Sequence, residues 1–161
     1  MLLEGSCHCG AVHFRCESRH PVPYQRCYCS ICRKTGGGGG YLINTEADAN
    51  TLEVTGREHV RVYQAMIERD GKQVRSRHER HFCGICGSHL WAFNDGWPEL
   101  LHPVAGAIDT PLDPPPSNVH IFVGSKAPWV EIEGGPDDAR FDEYPERSLA
   151  DWHRDHGVEV D

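Results

Sequence analysis

The 161-residue chain is long enough for one hydrophobic core and short for two, and its 39% hydrophobic and 25% charged residues are ordinary for a globular protein. No apolar run approaches the roughly 20 residues that span a bilayer, which argues against a helical membrane protein. A formal charge of -8 argues against a nucleic-acid partner, because such contact needs basic surface to displace counterions. One domain over residues 1–161 is therefore expected. Met1-Leu2-Leu3-Glu4-Gly5 carries neither the basic flank nor the apolar stretch of a secretory signal, so the expected location is cytoplasmic and reducing.

The first chemical unit is Cys7-His8-Cys9, bracketed by Gly5 and Gly10. Residues 11–16 alternate apolar and polar, the period of a half-buried strand; extended back through Cys7 and Cys9, it would put both thiols on one face. Cys16, apart from the other cysteines, reads as a small buried hydrophobe. Pro21 and Pro23 mark a loop over 18–23 that leads into Cys27-Tyr28-Cys29-Ser30-Ile31-Cys32, followed by one helical turn over 30–35. The glycine run 36–40 suits no regular element, because ordering it loses so much entropy. It is either a surface linker or a loop whose amides approach a ligand.

Strand patterns follow at 41–45, 51–55 and 59–65. Asp70-Gly71 then marks a hairpin turn into a polar strand over 73–82, with Val74, Ser76, His78, Arg80 and Phe82 on one side. That strand is expected to meet solvent on both faces for much of its length. Cys83-Gly84-Ile85-Cys86 comes next, where Gly84 and Gly87 would let amides turn toward the sulfurs of a knuckle. Further strands are expected at 90–93, 100–106, 119–123 and 129–132, a proline-rich loop at 111–118, and a capped helix start at 148–153. The chain reads as mainly β with little helix.

In a reducing compartment, cysteines spaced C-x-C, C-x-C-x-x-C and C-x-x-C read as metal-ligating thiolates, not disulfides. Cys7 and Cys9 with Cys83 and Cys86 can close a four-thiolate zinc site, a crosslink whose metal affinity is coupled to folding. Spacing also allows the triad to join Cys83 and Cys86, which would leave Cys7 and Cys9 only His8, His13 or Cys16 as partners. In the first allocation, Cys27, Cys29 and Cys32 make a second zinc site that either closes on a fourth ligand such as His20 or His81, or keeps an exchangeable position. An exchangeable position suits a small thiol, which loses its proton there and becomes a nucleophile toward a small aldehyde. Two zinc ions and seven thiolates would take the formal charge to about -11. Arg26, Arg33 and Lys34 flank the triad and either meet carboxylates of such a thiol or are simply solvated, while Tyr28 either lines the metal or packs. His89, His102 and His120 read as structural.

Gly5-Ser6-Cys7-His8-Cys9-Gly10, Cys27-Tyr28-Cys29-Ser30-Ile31-Cys32-Arg33, Phe82-Cys83-Gly84-Ile85-Cys86-Gly87 and His120-Ile121-Phe122-Val123-Gly124-Ser125-Lys126-Ala127-Pro128-Trp129 together resemble the glutathione-dependent formaldehyde-activating enzyme family, also called the CENP-V/GFA domain. The resemblance implies an Mss4-like fold of packed antiparallel sheets with zinc-binding knuckles. It implies two zinc ions per chain: a structural one at Cys7, Cys9, Cys83 and Cys86, and a catalytic one at Cys27, Cys29 and Cys32. The implied activity is that of a carbon-sulfur lyase of the S-hydroxymethylglutathione synthase type, joining glutathione or a similar small thiol to formaldehyde or another small aldehyde, and the reverse. Two rivals stand beside it. One is a non-catalytic Mss4-like zinc module that binds a protein partner; the other is a methionine sulfoxide reductase, for which only Cys16 remains as nucleophile. A homodimer is compatible with these readings.

Overall fold

Short β-prone runs punctuated by glycine and proline fold into twelve strands in a computed structural model that describes residues 1–158. In chain order they are β1 (Leu2–Ser6), β2 (His13–Glu17), β3 (Tyr24–Cys27), β4 (Leu42–Asn44), β5 (Ala47–Asp48) and β6 (Glu53–Thr55). They continue as β7 (Val60–Arg69), β8 (Lys72–Cys83), β9 (His89–Asn94), β10 (Leu100–Pro103), β11 (Asn118–Ile121) and β12 (Ala139–Arg140). The described residues hold two short α-helices, α1 (Ser30–Gly36) and α2 (Leu149–Asp155). The chain divides into two compact units, each drawn from two separated stretches: Met1–Ser18 with Ala47–Thr110, and Arg19–Glu46 with the chain from Pro111 onward.

The first unit contains two antiparallel sheets, ordered β1-β2-β6 and β5-β10-β9-β8-β7. Alternation along β2 turns Phe14 and Cys16 inward, and Phe14 meets the buried Trp91 ring edge-on at a centroid distance of 5.4 Å. Leu3, Leu90 and Leu101 are also fully buried, and each such side chain contributes about 1.5–3 kcal/mol by leaving water. Gly5 is required by close packing, since a Cβ there would fall 2.3 Å from the Phe14 ring. Burial, with the Glu17 carboxylate adding, pushes the Cys16 thiol up to about 12. A thiol raised in this way is a poorer nucleophile, which counts against a sulfoxide-reductase reading. Asp70 and Gly71, both at positive φ, turn β7 into β8 as expected. The first half of β8 is polar and largely exposed, whereas Arg80 and Cys83 near its end are buried.

The second unit holds one sheet, ordered β12-β11-β3-β4, in which β11 pairs parallel with both β12 and β3, and β4 pairs antiparallel with β3. Tyr28, Ala127 and Val130 form its described apolar cluster, with Tyr41, Val123 and Ile132 packed around it. The Ser148 and Asp151 side chains close a capping box at the start of α2, as the sequence predicts.

One strand expected from the sequence is absent. Residues 129–132 form no strand, because the chain turns after Pro128, with Val130 N–H donating to Ala127 C=O at 3.0 Å. Val130 is consequently buried while Trp129 is exposed. In the glycine run Gly36 ends α1, and the rest is a turn with exposed Gly38 and Gly39 between buried Gly37 and Gly40: Gly40 donates to Gly37 C=O at 2.9 Å and sits at φ +91°, and a Cβ there would lie 2.2 Å from Val130.

Candidate metal centres

Cys7 and Cys9 do not continue a strand into β2, contrary to expectation. Gly10 adopts φ +75° and donates to Cys7 C=O at 3.0 Å, while Cys7 N–H donates to Val12 C=O at 3.0 Å, so both thiols sit in the turn between β1 and β2. The second pair repeats the device. Cys83 ends β8 and donates to Ser88 C=O at 2.9 Å, and Gly87, at φ +77°, donates to Cys83 C=O at 2.8 Å. Left-handed backbone after the second cysteine of each pair folds the chain back, and glycine adopts it without strain.

These two knuckles bring the sulfurs of Cys7, Cys9, Cys83 and Cys86 within 4.8 Å of one another. Sγ of Cys9 is 3.5 Å from that of Cys7 and 3.8 Å from that of Cys83. The amides of Gly84 and Gly87 themselves donate to His59 C=O at 2.7 Å and to Cys83 C=O, and the turn at Gly87 brings the next amide, that of Ser88, to Cys86 Sγ. In the first knuckle the Val12 amide donates to Cys7 Sγ at 3.3 Å. Ser88, which no motif singled out, ties the knuckles together: its Oγ accepts from the His8 amide at 3.1 Å and lies 3.2 Å from Cys86 Sγ. The Ser88 hydroxyl and amide draw the Cys86 thiol down to about 5. At Cys9 the Ala11 amide pulls downward, but the Cys7 thiol and its neighbours win and push Cys9 up to about 12. Four sulfurs this close compete for protons, and a divalent cation relieves that competition.

The triad is assembled differently. Cys27 ends β3, Cys29 caps α1, and Cys32 lies in the first turn of α1, with its amide donating to Cys29 Sγ at 3.3 Å. The three sulfurs lie within 4.8 Å of one another, and among the described residues no histidine, carboxylate or further thiol joins that group. Hydrogen bonds from Cys27 and Cys32 draw Cys29 down to about 2 against the effect of burial, helped by the Cys32 and Ile31 amides. The same contacts push Cys27 far up. Cys27 and Cys32 are buried, and Cys29 is half-buried.

Neither histidine considered as a closing ligand is in the group. His81 lies 3.2 Å from the Glu79 carboxylate and stacks on Trp91, whereas His20 Nδ1 accepts from the Val22 amide at 3.4 Å. Side chains alternate along β3, so Arg26 and Tyr28 face away from Cys27. There the Arg26 guanidinium lies over Tyr41 at 5.1 Å, and the Tyr28 ring is buried. Arg33 and Lys34 occupy the last turn of α1, where their charge complements the helix dipole. His89, His102 and His120 are buried and belong to neither thiol group. Burial lowers His89 to about 4, and the Arg80 guanidinium adds to the effect.

Residues 2–125, which hold all seven clustered cysteines, match the family model described as glutathione-dependent formaldehyde-activating enzyme. The chain belongs to the glutathione-dependent formaldehyde-activating enzyme family. A Halomonas elongata protein provisionally named for that activity is 57% identical over 159 residues, covering 99% of each chain. A Rhodobacter sphaeroides crystal structure is similar to this member of the formaldehyde-activating family with a TM-score of 0.50 and 26% identity, covering 69% of this chain and 91% of that one.

Proposed function

We propose that this family member is a cytoplasmic, zinc-dependent carbon-sulfur lyase that adds a small thiol of the glutathione type to formaldehyde or another small aldehyde, and catalyses the reverse. The observation that carries the reading is the unequal donor count: four converging thiols in one cluster and three in the other. Both donor sets fit zinc, since thiolates select soft or borderline cations over hard ones. Cys7, Cys9, Cys83 and Cys86 would saturate a structural ion. Cys27, Cys29 and Cys32 would hold the second with three protein donors.

Zinc held by Cys27, Cys29 and Cys32 would supply a Lewis acid that favours the deprotonated form of a small thiol. Two features of the chain support that reading. The Cys32 amide holds negative charge on Cys29, and Cys29 is the least buried of the three sulfurs and so marks the approachable side. In the overall reaction the S–H bond and the carbonyl π bond break, while a C–S bond and an O–H bond form. The proton passes from sulfur to oxygen with no oxidant or reductant.

Exchange NMR on mixtures of glutathione and formaldehyde tests this. Wild type is expected to accelerate interconversion of free and hydroxymethylated thiol, and Cys29→Ser to return it to the uncatalysed rate. Equal exchange with and without wild-type protein would remove the glutathione claim and favour a zinc module that binds a protein partner.

A further inference from the structure

A buried polar chain in the second unit is used by none of the chemistry above. The Tyr28 hydroxyl lies 2.8 Å from His120 Nδ1, and His120 Nε2 lies 3.0 Å from Asp138 Oδ2. Tyr28 is 1% exposed and His120 0%, and the Asp138 side chain is 4% exposed. Asp138 Oδ1 also accepts from the Asn118 amide at 2.8 Å, and Oδ2 from Asn118 Nδ2 at 3.3 Å. A carboxylate only accepts, so His120 Nε2 donates to Asp138, while the Tyr28 hydroxyl and His120 Nδ1 share the second hydrogen bond. The three side chains thus form one continuous hydrogen-bonded chain from Tyr28 through His120 to Asp138.

Burying three polar groups is unfavourable unless each finds its partner, and a phenylalanine would fill the same apolar cluster without that cost. The location of Tyr28 explains the hydroxyl. It stands between Cys27 and Cys29, and its amide donates to Ile121 C=O at 3.0 Å, carrying the pairing of β3 with β11 one residue past the strand. With Tyr28 pinned to one face, Cys27 must point to the other, and the start of α1 at Cys29 is fixed relative to it. His120 sits on β11 beside Ile121, so the strand that receives the Tyr28 amide also receives its hydroxyl. Gly134 closes over the far end: a Cβ there would lie 2.1 Å from Asp138 Oδ2 and 3.3 Å from His120 Nε2.

We propose that Asp138, His120 and Tyr28 form a clamp that presets the peptide 27–29, so that the three thiols converge before metal arrives. All three are positioning residues, and the inference rests on the reading that the triad holds zinc. The zinc-loaded protein tests it, with release to a chromophoric chelator followed in wild type, Tyr28→Phe and Gly134→Ala. Tyr28→Phe keeps the ring and removes the hydroxyl; Gly134→Ala keeps every donor and crowds the carboxylate. Release from the triad is expected to be about tenfold faster in both, the scale of lost outer-sphere support, with release from the four-thiolate site unchanged. Cobalt-substituted Tyr28→Phe is expected to show altered ligand-field bands from the three-sulfur site, a signature that a general loss of stability would not produce. Unchanged triad release in both variants would overturn the clamp and leave the zinc reading whole. A wild type that binds one zinc instead of two would overturn both.

Discussion

The two sulfur clusters are built on opposite plans. In the first unit, two copies of one turn, each ended by a left-handed glycine, bring thiols together from segments 74 residues apart, as in the contact between Cys9 and Cys83. In the second, a single stretch from the end of β3 to the first turn of α1 supplies all three sulfurs. Long-range closure makes a metal part of the fold, because the ion offsets the entropy of joining distant segments. Local closure leaves little for the metal to hold together, so a site of that kind can lose or exchange ligands without unfolding the unit.

Substitutions that separate the two plans sharpen the contrast. The largest effect is expected for Cys83→Ser, which removes a fully buried ligand from the long-range site. Loss of zinc-coupled folding, on the order of 10 kcal/mol in small zinc domains, should abolish the cooperative thermal transition seen by circular dichroism. Cys29→Ser should lose thiol exchange and one zinc while keeping that transition. If both variants melt alike, the division into structural and working sites is wrong.

A medium effect concerns pH. His89 titrates at about 4 in the folded protein, against an ordinary value near 6.5. Between these values the unfolded chain takes up a proton that the folded one refuses, so the stability is intact above about 6.5 and falls as pH drops toward 4. His89→Leu should remove on the order of 3 kcal/mol of that fall. Denaturant titrations of both proteins at pH 7 and 4.5 check this, since thiol and metal titrations common to both cancel in the difference. An identical pH dependence would refute it. The smallest effect is Cys16→Ala, expected to lower stability by about 1 kcal/mol with thiol exchange unchanged. A loss of activity there would revive a nucleophilic role for Cys16.

The thiol clusters were legible in the sequence because chelate spacing is local: two sulfurs one or two residues apart can reach one ion wherever the fold places them. The elements that steer those sulfurs were not. Tyr24–Cys27 has polar residues in its middle and no strand was expected there, yet β3 lies between β11 and β4 in its sheet. Ser88 and Asp138 carry no motif, and their roles follow from which segments face each other. Residues 129–132 misled because Trp129, Val130 and Ile132 are strand-formers, although the turn after Pro128 buries Val130 alone among the first two. The capped start of α2 and the turn at Asp70-Gly71 were readable because each is decided within a few residues.

The interleaved route of the chain sets a timetable for biosynthesis. As the polypeptide leaves the ribosome, Cys27, Cys29 and Cys32 emerge more than eighty residues ahead of β11, the strand that pairs with β3 in the finished sheet. The first knuckle likewise waits for Cys83. Nascent chains thus carry naked, closely spaced sulfhydryls through much of translation, and an oxidant met in that interval could cross-link them before the sheets are complete.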